Sequence, residues 1–293
     1  MERRRCEGAR KYTVKMILSF GSRASAGAPV LFLLLAPSLL ALLAYVVAAW
    51  RVRGGDGMAR SSLVVAWLLH ALAIVVDATG IGTGVVGARF GFAPALSATL
   101  WLVLAVYVVE SRFVPLAGVR RTLSILGAIA VVLALAFPGE VRPQAPSPWA
   151  PVHWVLGIAS YGLFGAAVLH GAMLTMAERR MRSAAGMTSP EPMGLPLLRI
   201  EKLTFRFVAA GFVVLSAALM LGWWFSGPWT WDHKAVFSVM GWLVFAALLI
   251  GRRVFGWRGR RATSWLYLGC GLLLLGYVGS RFVFEVVLHR VPA

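Results

Sequence analysis

The sequence predicts an all-α protein, a polytopic bundle of about eight transmembrane helices. Three observations predict it. The 293 residues are 59% hydrophobic, with a mean hydropathy of +0.78. That exceeds the roughly one-half apolar share that a soluble domain can hide. Charged residues are only 14% and fall in short runs between long apolar stretches. Each stretch approaches the roughly 20 residues needed to cross a hydrocarbon core about 30 Å thick. Helices are the required form, because lipid offers unpaired backbone groups no partner.

Taken in order, the spans read as 29–50, 62–80, 93–110, 121–138, 153–176, 206–226, 235–254 and 263–286, forming a single membrane domain over 29–290 behind a basic tail at 1–28. Gly80-x-Gly82-x-Gly84 ends the second span as a flexible exit and precedes no dinucleotide-binding unit. The connections are short except for 177–205, a polar and mobile loop holding Arg179, Arg180, Arg182, Pro190, Pro192 and Pro196. Asp77, Glu110, Arg281 and Glu285 lie near span ends, where side chains snorkel to the interface. Arg281 and Glu285 are four apart and can pair on one helix. The two cysteines, Cys6 and Cys270, lack metal or redox spacing, and Cys270 reads as a small buried hydrophobe.

Charge sets the expected orientation. The connections after spans 1, 3, 5 and 7, counted with the span ends, carry 17 basic residues. Those after spans 2, 4 and 6 carry one each, Arg89, Arg142 and Lys234. The basic side is therefore expected inside, against anionic lipid, and both termini outside. The tail opposes this, with seven basic residues before residue 29. A start at Met16 would leave only Arg23 ahead of the first span. The net charge of +18 belongs to these membrane-facing loops, and no aromatic-interleaved basic domain is present to grip a nucleic acid.

Polar groups inside spans are the default functional candidates. Five histidines stand out: His70, His153, His170, His233 and His289. At 1.5 Å per residue, His70 lies about 12 Å and His170 about 9 Å below the basic face. His153 opens span 5 and His289 closes span 8 on the opposite face. Imidazole is a common axial ligand of heme iron, so one pair could be built at each level. A histidine that only hydrogen-bonds a neighbouring helix is the competing reading for each. Four tryptophans, Trp223, Trp224, Trp229 and Trp231, fall within nine positions in the loop after span 6, followed by Asp232, His233 and Lys234. An aromatic belt accounts for tryptophans at an interface. Flat indoles beside a carboxylate and an ammonium also suit a porphyrin with two propionates, with Lys234 pairing one of them. No phosphate loop, Ser/His/Asp order or H-E-x-x-H occurs, and no pair of broken spans argues for a transporter.

Trp229-Thr230-Trp231-Asp232-x-Lys234, with Trp242 one span later, resembles the tryptophan-rich (WWD-type) loop of the heme-handling cytochrome c assembly proteins. Arg89-Phe90-Gly91-Phe92-Ala93-Pro94-Ala95-Leu96-Ser97, His153 with Ser160-Tyr161, and Tyr277-Val278-Gly279-Ser280 running to His289 resemble further segments of that family in order. The resemblance covers roughly residues 60–290 and is most specific at the tryptophan loop. It departs at Phe225-Ser226, where the fuller motif has Trp-Gly, and at His233-Lys234-Ala235, where it has Pro-Lys-Glu. In size and pattern the eight-span HemX-like branch is the nearer match.

The resemblance implies heme b bound at Trp229, Trp231, Asp232 and Lys234, with His153 and His289 as axial ligands of the iron. It implies that His70 and His170 are transmembrane heme ligands. It further implies a bacterial inner membrane location, with apocytochrome c or other cytochrome c maturation membrane proteins as partners. The chain would then transfer or present heme without a catalytic constellation of its own, at most as part of a heme lyase system. A regulatory or scaffolding HemX-like protein, acting on heme biosynthesis or on an ion-transport partner through the loop 177–205, is the alternative.

Overall fold

The computed structural model describes residues 28–50, 56–79, 88–112, 117–142, 148–183, 197–225 and 231–288. Eight helical segments occur among them. These are α1 (Ala28–Ala49), α2 (Asp56–Thr79), α3 (Phe92–Glu110), α4 (Ala117–Ala136), α5 (Ala150–Ser183), α6 (Leu197–Phe225), α7 (His233–Val254) and α8 (Gly259–Val287). Seven are long and apolar enough to cross a membrane. The remaining one, α1, is 22 residues long and contains Pro37, with a shorter apolar stretch from Leu34 to Ala49. The expected all-helical, multi-pass architecture is what the chain forms.

Two boundaries differ from expectation. α5 runs to Ser183 and α6 begins at Leu197, so much of the stretch expected as a loop at 177–205 is helix. Charged residues do not stop a helix that leaves the bilayer, because their long stems let the heads reach water while the backbone ladder continues. Glu201 in the α6 extension accepts from Arg252 of α7 at 2.8 Å, and that guanidinium lies 3.7 Å above the Phe205 ring.

The other unanticipated feature is a ribbon. β1 (Ala88–Phe90) pairs antiparallel with β2 (Glu140–Arg142), with Arg89 opposite Val141. Gly139 enters β2 at φ 73, a conformation that favours glycine. A Cβ at Gly91 would stand 2.8 Å from the Gly139 Cα, so the two backbones meet this closely because Gly91 lacks a side chain.

The chain packs as two compact units. Unit 1 comprises Met1–Leu104, Ala117–Gln144 and Tyr277–Ala293; unit 2 comprises Ala105–Leu116 and Ala145–Gly276. In unit 1, α1 packs on α2 and α4. Trp67 of α2 and Trp101 of α3 stack with centroids 5.3 Å apart. Each indole N–H donates to the other residue's backbone carbonyl, at 3.2 and 3.1 Å. The end of α8 also belongs here, wound as two π-helical turns, Leu275–Gly279 and Val283–Val287. On it Arg281 and Glu285 pair at 3.9 Å, as their spacing suggests. They do not snorkel: exposures of 3% and 5% place both inside the protein.

In unit 2, α5 packs on α6 and α8, and α7 on α8. Phe164 stacks on Phe245 with centroids 3.9 Å apart, and Val208, Leu215, Leu248, Leu266 and Leu273 surround them. Cys270 leans on this core, as a small hydrophobe would. Met220, Leu243, Ile250 and Leu268 point outward and are exposed. Such a surface would be a liability in water and is the expected lipid-facing surface of a membrane bundle.

Candidate functional site

Three of the five histidines named by the sequence, His70, His170 and His153, sit in distinct settings. His70 lies in unit 1, 1% exposed, with both ring nitrogens engaged. The Tyr45 hydroxyl of α1 is 2.9 Å from Nδ1, and the Ser97 hydroxyl of α3 is 2.8 Å from Nε2. Room for the tyrosine comes from Gly127 of α4, where a Cβ would stand 2.7 Å from the Tyr45 Cζ.

His170 lies in unit 2, 2% exposed. Its Nδ1–H donates to the Ala166 carbonyl, one turn earlier on α5, at 2.8 Å. Nε2 meets the Glu110 carboxylate of α3 at 3.0 Å. A carbonyl can only accept, so Nδ1 carries a hydrogen and the Nε2–Glu110 contact shares the other proton of the pair. The sequence had assigned Glu110 no more than a place at a span end.

His153 is in the first turn of α5, in unit 2. Its Nδ1–H donates to the Ala218 carbonyl of α6 at 2.9 Å. The ring rests on Gly222, where a Cβ would come within 2.9 Å of the His153 Cε1. Folding thus brings His153 against the residue that precedes Trp223 and Trp224, both exposed at the end of α6. Carbonyl acceptance fixes the tautomer and puts the lone pair on Nε2, the arrangement found at metal-ligating histidines.

Across the tryptophan loop, Trp231 is 69% exposed. Asp232 is the N-cap of α7, its carboxylate accepting from the Ala235 N–H at 2.8 Å. Lys234 is half-buried in the first turn of α7. Trp242 is not part of an outer surface: its indole N–H donates to the Ser216 hydroxyl at 2.8 Å, and its ring stacks on Phe212. Trp229 and His289 lie outside the described residues. Among the described residues no group of three or more His, Cys, Asp or Glu comes together to hold a metal ion. A heme, whose iron takes its equatorial ligands from the porphyrin, needs only one or two axial imidazoles, whereas His70 and His170 have both ring nitrogens engaged by protein groups.

Sequence reasoning gave no role to Tyr45, to Ser97 as a partner of His70 or to Gly222 as a seat for His153, although Ser97 closes the Arg89–Ser97 segment and Gly222 opens the tryptophan segment, and it read Glu110 only as a span-end charge.

A family model described as cytochrome C assembly protein matches residues 28–288. The cytochrome c biogenesis protein CcsA of Synechococcus sp. is 31% identical over 116 residues, 36% of this chain and 34% of that protein. The inner membrane protein YpjD of Escherichia coli is 29% identical over 163 residues, 54% of this chain and 61% of that protein. The CcsA protein of Prochlorococcus marinus is 29% identical over 306 aligned positions, 87% of this chain and 92% of that protein. In the first two comparisons the chain spans 34% and 61% of its relative's length. No solved structure matches the chain.

Proposed function

The chain belongs to the cytochrome c assembly protein family, and from that premise we propose that it binds heme b and transfers or presents it at the outer face of a bacterial inner membrane during cytochrome c biogenesis. The observation that carries this is the setting of His153. Its Nδ1–H is held by the Ala218 carbonyl and its ring lies on Gly222, directly before the exposed Trp223-Trp224 pair.

Bound heme supplies an iron that accepts imidazole lone pairs. The chain supplies the rest. His153 and His289 are the proposed axial ligands at the outer face. Trp229 and Trp231 offer flat apolar faces, and Lys234 an ammonium for a propionate. Asp232 starts α7 and so fixes where Trp231 and Lys234 stand. His70 in unit 1 and His170 in unit 2 are further candidate ligands, each held by hydrogen bonds that orient the ring. The proposed orientation puts the 17 basic loop and span-end residues inside, against anionic lipid, and both termini outside. The proposed partners are apocytochrome c or other maturation membrane proteins.

Absorbance of the protein purified in detergent from a heme-replete host tests the reading. A Soret band is expected, reduced severalfold by His153→Ala with His289→Ala while the thermal midpoint stays within a few degrees. No Soret band in the parent, or one untouched by the double substitution, defeats the outer site. A HemX-like regulator acting through the α5–α6 connection is the second reading. It gains if substitutions between Ala184 and Pro196 abolish activity at unchanged heme content.

A further inference from the structure

In unit 2 the turn that joins α7 to α8 has a fixed shape. The Gly251 carbonyl accepts two N–H groups, from Phe255 at 3.0 Å and from Trp257 at 3.2 Å. Gly256 and Gly259, at φ 64 and 55, supply the left-handed backbone that turns the chain back. Trp257 is thereby laid on Gly251, where a Cβ would stand 2.5 Å from its ring. Trp265 of α8 packs beside it, with centroids 5.3 Å apart. Val254 and Phe255 stay exposed on the same turn. α7 is 22 residues long, about 33 Å at 1.5 Å per residue, so a helix that crosses the bilayer ends here at the hydrocarbon edge.

Five arginines belong to this turn: Arg252, Arg253, Arg258, Arg260 and Arg261. The Arg261 guanidinium lies 4.4 Å above the Trp257 ring, as that of Arg252 lies above Phe205. A guanidinium resting on a ring is held in place, and its planar fork of donors matches a phosphate. Two carboxylates face the five cations. Glu201 takes Arg252 at 2.8 Å and lies 3.9 Å from Arg258. Glu178 of α5 faces Gly259, 3.6 Å from its Cβ position. Three cations are left in excess, and Arg253, Arg258, Arg260 and Arg261 are all exposed. The general bias of basic residues to one side of a membrane accounts for the presence of arginines here. It gives no reason for a rigid aromatic floor under them, nor for an exposed Val-Phe pair between them.

We propose that the α7–α8 turn is a binding site for one anionic phospholipid. Arg253, Arg258, Arg260 and Arg261 offer N–H donors to the headgroup phosphate, and Val254 and Phe255 lie against the acyl chains. Trp257 and its seat on Gly251 hold Arg261 in position. A zwitterionic headgroup brings an ammonium that the excess arginines repel, so the site selects lipids of net negative charge. The proposal neither uses nor needs heme. The leaflet that supplies the lipid rests on the orientation proposed above, but binding in detergent does not.

Native mass spectrometry of the full-length protein in detergent, titrated with phosphatidylglycerol or with phosphatidylcholine of the same acyl chains, tests this. One phosphatidylglycerol is expected to bind about tenfold more tightly than phosphatidylcholine. Arg258→Gln with Arg261→Gln should weaken that binding about tenfold or more. Arg60→Gln with Arg121→Gln removes as many exposed charges from the connections expected on the same side, and should change it less than about twofold. Arg261→Lys keeps the charge but loses the flat fork, and should weaken binding severalfold. The thermal midpoint without added lipid is expected to stay within a few degrees in each variant. Equal losses in the two double variants would show diffuse attraction only and overturn the site. A parent protein that binds both lipids alike overturns it whatever the variants do, including variants that fail to fold. Displacement of the lipid by millimolar glycerol phosphate overturns the lipid assignment in favour of a soluble phosphate compound.

Discussion

Asp232 shows how a residue can belong to a functional loop and still act through the backbone. At the start of α7 the first N–H groups have no partner within the helix. The Asp232 carboxylate takes one of them, from Ala235, at 2.8 Å. Removing such a cap costs about 1 kcal/mol, and serine restores it. Asp232→Ala is therefore expected to lower stability in detergent by about 1 kcal/mol, and Asp232→Ser to recover most of it. Chemical denaturation followed by tryptophan fluorescence measures both. Equal loss in the serine variant would mean that the negative charge, and not the cap, is what matters there. The sequence marked Asp232 by its neighbours Trp231 and Lys234. It could not show the Ala235 N–H, because capping depends on where the helix begins.

At the scale of elements, α8 is the informative one. A span that closes in two π-helical turns puts its side chains out of the simple helical register. Arg281 and Glu285 end up inside unit 1, with Glu285 oxygens 3.3 and 3.4 Å from the Cβ position of Gly91. A buried pair is far more sensitive to losing one member than to losing both, since the survivor keeps its desolvation penalty without its partner. Glu285→Gln alone is expected to destabilise the protein by about 3 kcal/mol. Arg281→Met with Glu285→Leu should stay within about 1 kcal/mol of the parent. A double-mutant cycle on unfolding in detergent decides. Additive losses would show that the pair is not coupled. Spacing alone foretold the pairing of the two charges. Their burial follows from the path of α8 in unit 1 and is invisible in one helix.

At the scale of the molecule, the eight spans expected from the sequence, with α1 counted beside the seven long apolar helices, and a one-sided charge distribution make a single topology prediction. Alkaline phosphatase fused at the C-terminus should be active and a fluorescent protein there dark, because the C-terminus is expected outside. A fluorescent protein inserted between Ala184 and Pro196 should be bright. The opposite pattern would invert the orientation and move the tryptophan loop to the inner face. The family match over 28–288 does not depend on this result, but the face at which heme is presented does.

Hydropathy alone determined the helical class and the centres of the seven helices long and apolar enough to cross a membrane, because a run of about 20 apolar residues has one stable form in lipid. The same chain text also picked out His70, His153 and His170, since imidazole inside an apolar run is conspicuous. What it could not determine is what each ring faces. Tyr45 and Ser97 stand 25 and 27 residues from His70, and the Ala218 carbonyl 65 residues from His153. Those partners were decided only by the packing of one helix on another. Helix packing is set by small residues such as Gly127 and Gly222 and by interlocking contacts such as Trp67 with Trp101, and none of these leaves a period along the sequence.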